Sequence, residues 1–182
     1  QVKESDPTAP TGVYGKTKLA GENAIRTALN DHVILRTAWV FGEHGNNFVK
    51  TMIRAGATKE ELGIVSDQWG SPTSARGIAE CCLNISGKIA SDRSNITWGT
   101  YHYSGLPYTS WYGFAETIFT QAMDIGLIND RPKLRAIDSV NFPSIAKRPA
   151  NSRLDCTKLY DEFGVSPDEW IQQLSSVLEA LK

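Results

Sequence analysis

The sequence predicts an α/β protein whose sheet is mainly parallel. Short apolar runs rich in β-branched residues alternate along the chain with longer stretches of helical spacing, the order typical of helices packed on a parallel sheet. The chain has 182 residues, of which 41% are hydrophobic and 21% charged, an ordinary composition for a globular protein. This length is enough for one domain with a sizeable core or for two very small lobes.

Several stretches have helical spacing. The first, at about 13–30, contains good helix formers and small residues that let a neighbouring element pack closely. The second is FVKTMIRAGA, for which Asn46 or Asn47 supplies the N-cap. Further helices are predicted at about 75–85, 110–125 and 168–181, the last with a proline and acidic residues at its start.

The strands are predicted from apolar runs between these helices. The stretch 32–42, HVILRTAWVFG, is predicted to be a strand buried on both faces, because it is a long apolar and β-branched run. Shorter strands are predicted at LGIVSD, TYHYS and LRAIDS. The first ten residues, the turn-rich QWGSPT and the segment RPANSRLD are predicted to be loops.

Composition excludes several classes of function. The net charge is −1 and positive and negative residues are mixed along the chain, so the sequence has no concentration of positive charge of the kind that binds nucleic acid. No apolar run approaches the roughly 18 residues that cross a bilayer, so we expect no membrane contact and a cytoplasmic location. Cys81, Cys82 and Cys156 lack zinc-site spacing and are interpreted as buried, reduced thiols. The three histidines are scattered and interpreted as structural, so no metal site is predicted.

A Y-x-x-x-K pair lies on the first predicted helix. The four-residue spacing places Tyr14 and Lys18 on one face, about one turn apart. A nearby ammonium favours the phenolate form of a tyrosine, an arrangement that suits proton transfer to a carbonyl being reduced. Such a pair also arises by chance on a solvated helix, and the spacing alone does not separate the two interpretations.

Linked motifs add context to this pair. They occur in the order P-T-x-x-Y-G-K-T-K-L-A-G-E, L-R-T-A-W-V-F-G, N-N-F, D-Q-W-G-S-P-T, G-T-Y-H-Y-S-G and R-P-A-N-S-R-L-D. In this order they resemble the dTDP-4-dehydrorhamnose reductases, a group within the extended short-chain dehydrogenase/reductase family. The resemblance spans nearly the whole chain. It implies the C-terminal part of a Rossmann-like parallel-sheet domain plus a small substrate-binding lobe.

The resemblance also implies an activity. The intact protein would use NADPH (or NADH) to reduce dTDP-4-dehydro-6-deoxy-L-mannose to dTDP-L-rhamnose, a precursor of bacterial surface polysaccharide. Tyr14 would be the general acid that protonates the sugar C4 oxygen. Lys18 would assist Tyr14 and hold the nicotinamide ribose hydroxyls, so both residues are catalytic and cofactor-binding candidates. Mg²⁺ is associated with some members of the group, and no carboxylate cluster in this sequence places an ion.

The cofactor's phosphate-binding elements are not in this sequence. Dinucleotide-binding folds open with a strand and a glycine-rich turn, and no G-x-G-x-x-G occurs between Gln1 and Lys182. We therefore expect a fragment that is inactive alone, with about 1–60 ending the dinucleotide-binding domain. Residues from about 61 to 182 would form mainly the nucleotide-sugar lobe, with one returning sheet segment. The open edge of the strand at 33–36 would be covered by an N-terminal Rossmann part or by self-association, such as a homodimer.

Two residues of the first half are candidates for the nucleotide-sugar side. Trp39 ends a predicted strand, where ligands of open α/β sheets gather, and it would stack on or wall the sugar; a core aromatic is the alternative. Asn47 lies at a helix start, where backbone N–H groups favour a phosphate, a role compatible with an ordinary N-cap.

Four further substrate-binding candidates lie in loops. Gln68 and Thr73 resemble the group's nucleotide contacts, with a structural turn as the alternative. Arg148 would clamp the diphosphate and Asn151 would add a hydrogen bond, whereas a surface arginine in a proline turn is the alternative. The pair Trp111–Tyr112 and the run 101–103 are interpreted as core.

Two other classes of function fit parts of the sequence. An epimerase or dehydratase of the same extended family would share Tyr14 and Lys18, but it is not expected to combine D-Q-x-G-x-P-T with R-P-x-N-S. A regulatory subunit on a reductase-like fold, as known beside methionine adenosyltransferase, would need no turnover. Activity with the authentic sugar nucleotide separates the last two possibilities.

Overall fold

The structure, a computed structural model, describes residues 1–142 and 149–182. Its helices are α1 (Val13–Ala28), α2 (Phe48–Gly56), α3 (Ala75–Ser91), α4 (Trp111–Asp124), α5 (Thr157–Phe163) and α6 (Trp170–Ala180). Its strands are β1 (Val33–Arg36), β2 (Val40–Phe41), β3 (Glu61–Val65), β4 (Trp69–Gly70), β5 (Thr73–Ser74), β6 (Gly99–His102), β7 (Thr109–Ser110) and β8 (Lys133–Ile137).

Parallel pairing dominates among the strands. Strand β1 pairs with β6, β2 with β5 and β3 with β8, all in parallel, while the short pair β4–β7 is antiparallel. In each parallel pair at least one helix lies between the partners in sequence, as parallel connections require. The predicted α/β class with a mainly parallel arrangement is therefore confirmed.

The predicted single strand at 32–42 is wrong. The backbone is extended in β1 and β2 only, and Trp39 between them has a φ of 45°, in the left-handed region. An L-residue with a large side chain rarely adopts this φ. The left-handed conformation of Trp39 interrupts the extended backbone between β1 and β2. The strands are also not buried on both faces, because Ile34 is the single buried residue of β1 and Val40 in β2 is exposed.

Two hydrophobic clusters form the core. The larger one joins α2, α4, α6 and β3, and its fully buried side chains include Val49, Phe114, Ile118, Phe119 and Leu174. The smaller one lies between α3, β6 and α5. The predicted core role of residues 101–103 is confirmed, because Tyr101, His102 and Tyr103 are at most 2% exposed.

Helix α1 differs from the others, because none of its residues is buried. Several other details differ from the sequence prediction. Helix α3 continues to Ser91, and α5 was not predicted. The expectation that all three thiols are buried is wrong for Cys82, which is exposed. Within the described residues, no helix is long and apolar enough to cross a membrane.

Candidate active site

Tyr14 and Lys18 lie on the first half of α1, as predicted. The Lys18 Nζ is 5.4 Å from the centroid of the Tyr14 ring, so the ammonium lies over the ring face. Tyr14 is 77% exposed and Lys18 is also exposed. The phenol and the ammonium are therefore adjacent and open to a ligand that approaches from solvent.

A cluster of charged side chains fastens the same helix to the parallel pair β1–β6. The Arg36 guanidinium donates two hydrogen bonds to the Glu22 carboxylate, at 2.8 Å from Nε and 2.6 Å from Nη2. Arg26 donates to the same carboxylate at 2.7 Å and to the Thr100 hydroxyl at 2.9 Å. The hydrogen bond from Arg36, aided by Arg26, holds the pKa of Glu22 below its usual value in spite of partial burial.

Trp39 stacks on Trp111. The two ring centroids are 3.6 Å apart and the planes differ by 14°. Gly70 gives the Trp39 ring room, because a Cβ at that position would lie 2.5 Å from Cε2 and 2.8 Å from Nε1 of the indole. Since Trp111 covers one face of Trp39, a sugar would meet the other face or the ring edge. Trp111, which was interpreted as core, is half-buried and packs against the larger hydrophobic cluster as well as against Trp39.

The indole pair borders a depression of about 410 Å³, which is also lined by Val40, Phe48 and Thr51. Phe48 packs against Trp111 with a centroid distance of 4.6 Å. A mostly apolar, aromatic wall of this kind is typical of sites that hold the flat or apolar faces of small ligands.

Asn47 is the N-cap of α2. Its Oδ1 accepts a hydrogen bond of 3.2 Å from the Lys50 backbone N–H, and its Nδ2 donates at 2.7 Å to the Gly42 carbonyl. The cap role is confirmed, and each polar atom of the amide makes one of these bonds. The backbone N–H groups of this helix start are further donors that favour a phosphate.

Gln68 and Thr73 are buried, at 9% and 1% exposure. The Thr73 hydroxyl donates to the Ser71 carbonyl and accepts from the Gly105 backbone N–H, while its own N–H donates to the Trp39 carbonyl at 3.2 Å. Thr73 thus joins two loops beside Trp39 through its backbone and hydroxyl.

Asn151 pairs with the segment that carries Gln68. Trp69 donates its N–H to the Ala150 carbonyl at 2.8 Å, and the Ser152 N–H donates to the Trp69 carbonyl at 2.7 Å. The Asn151 Oδ1 accepts two hydrogen bonds from Arg153, one from the backbone N–H and one from Nε. Arg148 lies outside the described residues.

The structure brings some predicted residues together and leaves others apart. Trp39, Gln68, Thr73 and Asn151 belong to backbone segments that pair with one another through β2, β4 and β5. Tyr14 and Lys18 lie on α1, which is linked by hydrogen bonds to β1 and β6 instead. Glu22 and Arg36 were not predicted as site residues, although the four-residue step from Lys18 to Glu22 was a usable signal.

Metal binding is not supported by the described residues. No group of three or more His, Cys, Asp or Glu side chains in 1–142 and 149–182 is arranged to hold an ion.

Comparison with known proteins identifies the family. The family model described as the RmlD substrate binding domain matches residues 1–182. The chain belongs to this family. A dTDP-4-dehydrorhamnose reductase from Aggregatibacter actinomycetemcomitans is 43% identical over 175 residues, which cover 96% of this chain and 59% of that protein. The predicted family resemblance is thus confirmed, and the chain spans about 59% of the length of this relative.

Solved structures agree. A dTDP-4-dehydrorhamnose reductase from Clostridium acetobutylicum matches with a TM-score of 0.86 and 37% identity, covering 99% of this chain and 59% of that one. The enzyme from Bacillus anthracis, solved in complex with NADP, matches with a TM-score of 0.82 and 33% identity, covering 97% of this chain and 58% of that one. The Rossmann-like α/β class expected from the sequence is confirmed by these matches.

Proposed function

We propose that the whole protein containing this chain reduces the C4 carbonyl of dTDP-4-dehydro-6-deoxy-L-mannose to give dTDP-L-rhamnose, with NADPH or NADH as reductant. The observation that carries the proposal is the exposed Tyr14–Lys18 pair, with the ammonium 5.4 Å from the phenol ring centroid. It stands in a chain 43% identical to a reductase named for this substrate. A solved relative that binds NADP supports the choice of cofactor.

The chain's own residues supply the proton side of the reaction. Bound NADPH or NADH would supply the hydride that C4 accepts. Tyr14 donates its hydroxyl proton to the C4 oxygen as that oxygen gains negative charge, which completes the alcohol. Lys18 stabilises the phenolate left behind and holds the nicotinamide ribose hydroxyls. Both side chains are accessible for these contacts, because both are exposed on one face of α1.

Residues from both halves of the chain are proposed to hold the nucleotide sugar. The Trp39–Trp111 stack forms an aromatic wall for the sugar, and the N-terminus of α2 at Asn47 faces phosphate through its backbone N–H groups. Gln68, Thr73 and Asn151 contribute polar groups along paired segments. Arg148, in the same RPANSRLD segment as Asn151, is proposed to clamp the diphosphate bidentately.

The division of labour along the chain is part of the proposal. Residues from 1 to about 60 end the dinucleotide-binding domain, and residues from about 61 to 182 form mainly the sugar lobe. The parallel pairing of β6 with β1 supports one returning sheet segment in that lobe. An N-terminal Rossmann part and a homodimer complete the proposed assembly. The free thiols fit the reducing conditions of the proposed cytoplasmic location.

Turnover by the whole protein tests the function. We expect one NADPH oxidised for each dTDP-L-rhamnose formed, measured by absorbance and by chromatography of the product. An epimerase or dehydratase would convert a sugar nucleotide without net NADPH oxidation, and a regulatory subunit would give no product. Either result would contradict the proposal.

A further inference from the structure

We propose that the Glu22–Arg36 ion pair is a positioning device for Tyr14 and Lys18, because it fixes how α1 lies against the end of β1. This inference rests on the proposed function. It assigns a role to two residues that touch neither cofactor nor substrate in the scheme above.

Within residues 1–142 and 149–182, α1 has few apolar contacts. None of its residues is buried, and its apolar side chains Val13 and Ile25 are 79% and 43% exposed. Most helices are held by burial of an apolar face, a contribution that is small here within the described residues. Within this chain, the polar contacts of Glu22 and Arg26 therefore link α1 to the parallel pair β1–β6.

The Glu22–Arg36 ion pair has a fixed geometry. Nε and Nη2 of Arg36 donate to separate carboxylate oxygens of Glu22. This bidentate arrangement fixes the relative orientation of the two groups as well as their distance. The side chains are 21% and 15% exposed, so water competes less than at an open surface. Arg36 itself is fixed by the backbone, because it pairs with His102 in the β1–β6 ladder and its carbonyl accepts from the Tyr103 N–H at 2.9 Å.

The spacing connects this anchor with the catalytic pair. Tyr14, Lys18 and Glu22 follow one another at four-residue intervals on α1. Each interval rises about 6 Å and turns about 40°, so the three side chains form one inclined row. A change in the tilt or rotation of α1 at Glu22 therefore moves the Tyr14 hydroxyl. Displacements of about 1 Å from reacting atoms can cost a hundredfold in rate.

Arg36 lies at the carboxyl end of β1, the edge at which parallel sheets bind ligands. The ion pair therefore attaches α1 to the carboxyl end of β1. From that end the chain continues through residues 37 and 38 to Trp39. The proton donor and the proposed sugar wall are therefore both connected to the carboxyl end of β1.

The test uses the whole protein and three variants. Glu22→Gln removes the charge and one acceptor oxygen, and Arg36→Lys keeps the charge but loses the bidentate fork. Glu80→Gln is the matched control, because Arg76–Glu80 is an exposed ion pair with a similar distance of 2.9 Å on α3. We measure kcat and KM for the sugar nucleotide, together with hydrogen exchange of the peptide covering α1.

We expect Glu22→Gln and Arg36→Lys each to lower kcat by a factor of about 10 to 100, with KM changed less than about twofold. Amides of α1 should exchange faster in both, and Glu80→Gln should match the parent in kcat and in the α1 exchange. Faster exchange with unchanged kcat would overturn the positioning role, as would a loss confined to KM. Absence of turnover in the parent would overturn the proposed function and this inference with it, whereas an active parent with fully active variants would overturn the inference alone.

Discussion

At the scale of single residues, Asn47 shows how one side chain fixes a local turn. The side-chain amide of Asn47 forms one hydrogen bond with Lys50 and another with Gly42. The same group therefore holds the loop before α2 and the first turn of that helix. The sequence predicted this position because asparagine is a preferred N-cap. It could not distinguish Asn46 from Asn47, since both satisfy the same preference.

Replacing Asn47 with alanine should destabilise the protein. The change removes the cap and leaves the Gly42 carbonyl without its donor, at a cost of about 1–2 kcal/mol in the free energy of unfolding. Asn46→Ala removes an exposed neighbour and should change that free energy by less than about 0.5 kcal/mol. Urea unfolding of the two variants measures both values, and equal losses would contradict the cap assignment.

Glu22 should make stability depend on acidity. Its folded pKa lies below the usual value of about 4.3, chiefly because Arg36 donates hydrogen bonds to it. The ion pair's contribution to the free energy of unfolding is therefore present above that usual value and is lost as the pH falls through the lower folded pKa. Between about pH 6 and about pH 3, the parent should lose more stability than Glu22→Gln. Parallel pH profiles in urea unfolding would contradict this.

At the scale of elements, the helices were more predictable than the strands. Helix α2 begins at Phe48, directly after a predicted capping asparagine. Helix α4 begins at Trp111, within one residue of the predicted start at about 110. The single strand predicted at 32–42 was wrong, because a run of apolar residues does not reveal a left-handed backbone conformation such as that of Trp39. Helix α5 was missed because it is only seven residues long and has no side-chain cap.

The indole stack between the loop of Trp39 and the start of α4 should have a spectroscopic signature. Two indoles with centroids 3.6 Å apart couple their transitions, so the parent should show an exciton couplet in its circular dichroism. Trp111→Leu should abolish the couplet and raise KM for the sugar nucleotide, because Trp39 loses its support. Trp98→Leu removes an indole that lies beside Arg93 instead and should keep the couplet. A couplet that survives Trp111→Leu would show that the stack is absent in solution.

At the scale of the whole molecule, the site was predicted in part. Tyr14, Lys18 and the segments around Trp39 and Thr73 were identified from motif order. The roles of Trp111, Glu22 and Arg36 depend on contacts between residues far apart in sequence, such as the 14-residue separation of Glu22 and Arg36. Local spacing does not contain that information.

Cofactor affinity is a property of the whole fold. A dinucleotide's pyrophosphate is held by a glycine-rich turn and a helix N-terminus, and residues 1–182 contain no G-x-G-x-x-G. This chain alone should therefore bind NADPH no tighter than millimolar, and the whole protein should bind it far more tightly. Fluorescence titration measures both. Micromolar saturation of a sample whose mass shows no other chain would contradict the prediction.

The turnover of Tyr14→Phe in the whole protein tests whether Tyr14 is the proton donor. Phenylalanine keeps the exposed ring beside Lys18 but removes the transferable proton. The variant's kcat for NADPH oxidation with dTDP-4-dehydro-6-deoxy-L-mannose should fall by a factor of about 100 to 10,000, with KM for the sugar nucleotide nearly unchanged. Tyr160→Phe, at an exposed tyrosine on α5, should retain full activity. A Tyr14→Phe variant that keeps more than about a third of the parent's turnover would show that Tyr14 is not the acid.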